Sequence, residues 1–207
     1  MGIGLDVWRV GMRSVAAGFL IGIGGAANAT VGGIVGATLF STALVLIAIT
    51  NLPLFTGRVG FIDSKKSLTE TGLALGGNLV GAGLAATLFV ASQEVGSFAL
   101  VAEQASGEAK CATPLGAFFA QAVLCGVLVH MAIKSYRAKQ SVAPIVMCVV
   151  AFVLCGFEHC VADAFTFSAA KVDALSAASR IAAAVAGNAL GAVFIEKLIQ
   201  MERVLNK

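Results

Sequence analysis

Residues 14–57 form 44 consecutive positions without Asp, Glu, Lys or Arg. One helical crossing of a hydrocarbon core takes about 20 apolar residues, so this run holds about two. Further uncharged runs occupy 71–93, 111–133 and 140–157, the last ending at Glu158 and His159. Residues 174–195 carry a single charge, Arg180. Hydrophobic residues make up 58% of the 207 and charged residues only 12%, against about 25% charged in an ordinary globular domain. A soluble fold of this length cannot hide that much apolar surface. The sequence predicts an all-α integral membrane protein with six transmembrane segments, the fifth interrupted and the second less plainly so.

The cations set the orientation. With a cytoplasmic N-terminus, the inner side holds Arg9, Arg13, Arg58, Lys65, Lys66, Lys134, Arg137, Lys139, Lys197, Arg203 and Lys207. The outer side holds only Lys110 and Lys171, a strong positive-inside bias that puts both termini in the cytoplasm. Arg13 before an apolar stretch ending in Ala27-Asn28-Ala29 also suggests a cleavable leader. Removing it would leave five spans, so the first segment is read as a span. Four of the five cysteines lie in apolar segments and read as small buried hydrophobes.

The pattern G-N-x-x-G-A occurs at 77–82 and again at 187–192, each time in the third segment of its half. The acidic stretch from Glu94 to Lys110 separates the halves. A duplicated set of three crossings enters from opposite sides, giving a 3+3 inverted repeat of about 9–93 and 111–205 within one channel domain, 1–207. Small residues four apart let helices approach closely. They do not account for an asparagine in hydrocarbon, which needs a partner or an aqueous lumen. For Asn78, packing and pore lining both stay open; Asn188 favours the pore.

The second segment of each half is broken at matching depth. Pro53 in Leu52-Pro53-Leu54-Phe55-Thr56-Gly57 removes a backbone donor, and Gly57 permits unusual dihedrals. The fifth segment breaks at Gly156-Phe157-Glu158-His159, where a charged pair cannot face lipid cheaply. Irregular backbone at this depth is tolerated inside protein or along a cavity. Two broken helices at symmetric positions predict a substrate path at the midplane, with half-helices after each loop aiming N–H groups at it.

Leu-Phe-Thr-Gly at 54–57, Gly-Asn-Leu-Val-Gly-Ala at 77–82, Gly-Phe-Glu-His at 156–159 and Gly-Asn at 187–188 resemble the formate/nitrite transporter family, over essentially the whole chain. That resemblance implies a homopentameric channel for small monovalent anions such as formate, nitrite or hydrosulfide, without cofactor or metal, in the inner membrane of a prokaryote. The family's central histidine falls on His159 with Glu158 before it, and its threonine on Thr56. Its outer-vestibule lysine falls on Lys110 and its last-helix asparagine on Asn188. Its two hydrophobic constrictions look like being drawn from Leu54, Phe55, Phe152, Phe40, Leu44 and Val129.

The chemistry follows. His159 titrates in the physiological range and can lend a proton, so that a weak-acid anion crosses as its conjugate acid. Thr56 supplies a hydroxyl donor. Lys110 would draw anions to the outer mouth. The bland readings are a structural His159 held by Glu158, phenylalanines that are ordinary core, and a solvated Lys110. Four positions depart from the family pattern: Gly126, His130, Arg58 and Asp163. His130 reads as a packed, hydrogen-bonded helix residue. Opposite charges at Arg58 and Asp163 suggest an ion pair beside the pore, but Arg58 lies close to the inner side, and the preferred reading is that it snorkels to the headgroups near Lys65 and Lys66. A channel for neutral solutes of the aquaporin kind would need two Asn-Pro-Ala loops, and Pro53, Pro114 and Pro144 lie in none. A non-transporting scaffold would leave the charges inside the spans without a use. No nucleotide or nucleic-acid motif is present.

Overall fold

The computed structural model describes residues 2–205, with side chains over 7–201. Lys207 and the Arg203 side chain lie outside the described residues. Eight α-helices and one short 3₁₀ turn follow in order, and no strand occurs among the described residues. They are α1 (Gly2–Val31), α2 (Gly33–Ile49), the 3₁₀ turn (Val59–Phe61), α3 (Lys65–Ser92), α4 (Phe98–Ala112), α5 (Leu115–Lys139), α6 (Ala143–Leu154), α7 (Cys160–Ala169) and α8 (Ala174–Leu205).

Four helices are long and apolar enough to cross a membrane: Val7–Val31 of α1, α3, α5, and Ala174–Met201 of α8. The apolar helices α2, α6 and α7 are shorter. Before α4, the long helices α1 and α3 enclose α2 and the 3₁₀ turn; after it, the long helices α5 and α8 enclose α6 and α7. In the first half α1 packs along α3; in the second, α5 packs along α8. Glycines permit both approaches. A Cβ at Gly81 would overlap the Val15 backbone, and one at Gly191 would overlap Val123. A Cβ at Gly18 would meet the Asn78 carbonyl, and one at Gly126 the Asn188 carbonyl. The departure at Gly126 thus has a packing cause: no side chain fits between α5 and α8 there.

Both interrupted helices end in the same way. Asn51 (φ 52°) and Gly156 (φ 65°) adopt left-handed backbone just after the caps of α2 and α6. Leu52 N–H then donates to Ile47 O at 3.0 Å, and Phe157 N–H to Phe152 O at 2.9 Å. Asn51 N–H reaches Ala48 O and Gly156 N–H reaches Val153 O, completing a Schellman closure at each end. The unusual dihedral expected at Gly57 thus lies at Asn51 instead. The half-helix expected after Gly57 is only the three-residue 3₁₀ turn; a full helix, α7, follows the second break alone.

The exterior is apolar. Trp8, Ile34, Val35, Leu88, Met147 and Leu175 are all exposed, as the surface of a chain solvated by lipid or by further copies requires.

Candidate functional site

Two asparagines hold the two breaks. Asn78 of α3 is fully buried. Its Oδ1 accepts from Phe55 N–H at 2.8 Å, and its Nδ2 donates to Ser14 O and Pro53 O at 2.8 and 2.9 Å. Asn188 of α8 is equally buried and repeats the set. Its Oδ1 accepts from Cys160 N–H at 3.0 Å, and its Nδ2 donates to Ala122 O and Glu158 O at 2.8 Å each. Backbone groups freed by interrupting a helix in an apolar setting need partners. One primary amide supplies one acceptor and one donor to each break and ties its second N–H to the adjoining long helix, at Ser14 of α1 or Ala122 of α5. Both asparagines are committed to backbone in the same way, so hydrogen bonding does not set Asn188 apart from Asn78.

These paired partners register the breaks. Leu54 lies between the groups held by Asn78, and His159 between those held by Asn188. One break presents an aliphatic side chain where the other presents an imidazole.

His159 is buried at the start of α7. Its Nδ1 accepts from Ala162 N–H at 3.3 Å, capping the helix. Its Nε2 lies 2.9 Å from Thr56 Oγ1, itself buried, across 103 residues of sequence. A ring nitrogen that accepts at Nδ1 carries its proton on Nε2. Nε2–H then donates to Thr56 Oγ1, and the Thr56 hydroxyl proton is free to point elsewhere. Phe152 stacks on the imidazole, centroids 5.8 Å apart and planes 12° apart, and Phe40 meets Phe152 edge-on at 5.9 Å. Leu54, Phe55, Leu44 and Val129 are buried in the same core.

Behind the second break lies a charged cluster. Lys110 at the end of α4 pairs with Glu158 and, at 3.0 Å, with Asp163 of α7. Both carboxylates are buried. Burial works against the Lys110 charge, but Asp163 and Glu158 more than offset it and raise its pKa above the ordinary lysine value. Lys110 is therefore no solvated loop charge. Glu103 is buried on the same face of α4 two turns earlier, its pKa raised by burial, with Thr166 and Lys110 acting in the opposite direction. Sequence reading left Glu103 in the acidic boundary; its place two turns before Lys110 on one helix was the available signal.

The Arg58–Asp163 pair does not form. Arg58 Nη2 pairs with Glu70 of α3 at 2.7 Å, and Lys66 approaches the same carboxylate at 3.9 Å. Asp163 belongs to Lys110. Glu70 becomes the partner because the chain runs only from the 3₁₀ turn into the first turns of α3, whereas Asp163 points toward α4. Arg58 lines a cavity of about 750 Å³ together with Arg9, Arg13, Lys66 and Arg137, and Leu54 and Gly57 of the first break line it too. Arg58 thus stands beside Lys66 at the cavity wall, with Glu70 between them.

The remaining departure, His130, and the charge at Arg180 have local causes. His130 is fully buried, its Nε2 2.7 Å from Glu196 Oε2, which also pairs with Lys134. Its ring fills the space beside Gly60, where a Cβ would overlap it, and stacks on Phe61 at 4.4 Å. Arg180, the charge inside the last span, donates to the Thr113 carbonyl and, at 2.7 Å, to the Cys111 carbonyl, satisfying the end of α4.

The formate/nitrite transporter family model matches residues 2–201. Among solved structures, "Pentameric formate channel with formate bound" superposes with a TM-score of 0.81 at 22% identity, covering 98% of this chain and 99% of that one. A second, "FNT family ion channel", superposes with a TM-score of 0.83 at 22% identity, covering 97% and 91%. No curated protein matches the chain. At this identity the solved structures establish the fold. With the family match running from residue 2 to 201, the chain belongs to the formate/nitrite transporter family.

Proposed function

We propose that the protein is a channel for small monovalent anions of the formate, nitrite or hydrosulfide class, and that His159 and Thr56 handle the anion at its centre. The observation that carries this reading is the buried Thr56–His159 contact at 2.9 Å, which joins the two broken segments. A monovalent anion entering an apolar core loses hydration that must be replaced. The Thr56 hydroxyl, free to donate when Nε2–H occupies its oxygen, offers the first replacement. A negative charge beside the ring favours a proton on His159, and transfer of that proton lets the solute continue as its neutral acid. Hydrocarbon side chains then suffice for the rest of the path: Phe152 beside the imidazole with Phe40 against it, and Leu54, Phe55, Leu44 and Val129 as the remaining candidates for constrictions. Glu158 and Lys110 anchor the loop that carries His159, and Asn188 fixes its backbone.

The same reading has the chain cross the membrane six times as a 3+3 inverted repeat, about 9–93 and 111–205, in one domain. It assembles as a homopentamer in a prokaryotic inner membrane, with the arginine-rich cavity and both termini on the cytoplasmic side. Support for the pentamer comes from the likeness to a pentameric channel and from the exposed apolar helix faces. The test is flux in proteoliposomes. Formate, nitrite or hydrosulfide should cross faster than through protein-free vesicles, accelerated by acid, while Na⁺ and K⁺ stay excluded. Ready passage of urea with no anion flux would replace this reading with a neutral-solute channel.

A further inference from the structure

The cavity beneath Leu54 has a composition that small-anion passage does not require. Five cations line it: Arg9, Arg13, Arg58, Lys66 and Arg137. Only two carboxylates, Asp63 and Glu70, line it with them. Glu70 is engaged by Arg58 and approached by Lys66. Asp63 accepts from Ser67 Oγ at the start of α3. Arg13 spends one nitrogen on the Thr50 and Asn51 carbonyls, at 3.1 and 2.9 Å, where α2 ends. Arg137 makes no ion pair among the described residues; its guanidinium carbon lies over the Phe61 ring, 4.1 Å from the centroid. Arg58 and Arg137 stand close enough for their like charges to oppose each other. A cavity of about 750 Å³ has the liquid volume of about 25 waters, so the cations face an aqueous chamber.

Like charges held together without a matching carboxylate mark a place for a polyvalent anion. Guanidinium groups suit tetrahedral oxyanions because their forked donors meet two oxygens at once. Phe61 holds the Arg137 guanidinium in place and Glu70 holds Arg58, so both cations are positioned before a ligand arrives. We propose that this cavity is a binding site for a phosphate group, held chiefly by Arg58 and Arg137 with Arg9 at its rim. A bound phosphate group would stand under Leu54 and close the entrance from that face; this consequence, unlike the site itself, rests on the channel reading above. A polyvalent oxyanion, too strongly hydrated to cross the apolar core, would stay and occlude. Two sources carry the same chemistry: a soluble phosphate compound, or the headgroup of an anionic phospholipid from the adjoining leaflet.

Binding is measured first on the purified full-length assembly in neutral detergent, using pyrophosphate as probe by isothermal titration calorimetry and thermal unfolding. Sodium chloride at equal ionic strength is the control, because exposed cations respond to salt in general. Pyrophosphate should bind and raise Tm. Arg137→Gln, which leaves every described ion pair in place, should weaken binding about tenfold or more, as loss of one charge-assisted bidentate contact implies. Arg58→Gln should do the same, and Arg9→Gln should act less. Unchanged binding in both Arg137→Gln and Arg58→Gln, or a wild-type response no larger than that to chloride, would overturn the site. The source is read in nanodiscs. If phosphatidylglycerol suppresses pyrophosphate binding and phosphatidylcholine does not, a lipid headgroup competes for the site; if neither suppresses it, the soluble compound is the ligand. Pyrophosphate on the cavity side should then slow formate flux in the wild type and not in Arg137→Gln. Binding without slowed flux would remove the occlusion and leave the site, whereas failure of formate flux in the unliganded protein would fall on the channel reading instead.

Discussion

The two breaks are built alike and filled differently. Each begins with a left-handed residue, Asn51 or Gly156, that closes an apolar helix. Each is held by one buried amide that gives two hydrogen bonds and takes one. Yet the first break carries Leu54 and is followed by a 3₁₀ turn, while the second carries His159 and is followed by a ten-residue helix. Charge divides in the same way. The first break looks into an aqueous cavity with an excess of arginine; the second backs onto Lys110, Glu158 and Asp163 in the protein interior. Repetition therefore accounts for the scaffold, and the side chains and charges set on it are where the two breaks differ.

The strongest attack on this comparison is removal of the amides. Asn78→Ala or Asn188→Ala leaves one N–H and one carbonyl of a buried break without the amide, and cuts its tie to the α1 or α5 carbonyl as well. Each such group costs about 1–3 kcal/mol. Both variants should lose most of their folded, assembled protein on size-exclusion chromatography, and to a similar degree. A benign Asn78→Ala beside a damaging Asn188→Ala would show that the breaks are not equivalent. Next comes Lys110→Met, which leaves two buried carboxylates facing one another. Breaking a buried ion pair from one side costs about 3–5 kcal/mol. Tm should drop sharply, and adding Asp163→Asn to Lys110→Met should restore part of the loss. A surface-like effect below about 1 kcal/mol would return Lys110 to the solvated category.

The third test exchanges the chemistry and keeps the scaffold. His159→Leu gives the second break the side chain of the first. The Asn188 bonds go to Glu158 and Cys160 backbone, so the loop should keep its path. Acid-stimulated anion flux should collapse while the assembly elutes unchanged. An unaltered pH profile would make His159 a helix cap and nothing more.

How much of this was legible in the sequence depends on whether a feature repeats or merely touches. The spans, the two breaks and G-N-x-x-G-A could be read because hydrophobic length and short motifs are local properties. Correspondence between Leu54 and His159 could not. Leu-Pro-Leu-Phe and Phe-Glu-His-Cys share no identity, and only the hydrogen bonds of Asn78 and Asn188 align them. Thr56 and His159 were named separately, and their contact across 103 residues emerges only when the breaks meet. Charge partners were the least legible. Lys110 reads as a loop cation until α4 is seen to end against α7, and Glu103 stays unremarkable until α4 is known to be a helix with a buried face.

Arg58 and Asp163 supply the smallest effect and the sharpest check on the division of charge between the two regions. Their opposite signs near the two breaks suggested a direct pair, because a lone charge at depth is costly. The structure gives each a different partner: Glu70 for Arg58 at 2.7 Å, and Lys110 for Asp163 at 3.0 Å. Arg58–Glu70 is partly exposed at the cavity wall, so Arg58→Asn should cost no more than about 1 kcal/mol. Asp163→Asn keeps a polar group beside Lys110 and leaves Glu158 to balance the ammonium, so its cost should also be modest. With no shared partner, the two losses should add within about 0.5 kcal/mol in a double-mutant cycle on thermal unfolding of the assembled protein. Recovery of stability in the Arg58→Asn/Asp163→Asn variant would mean that the charges meet after all, and that the cavity and the interior cluster form one network.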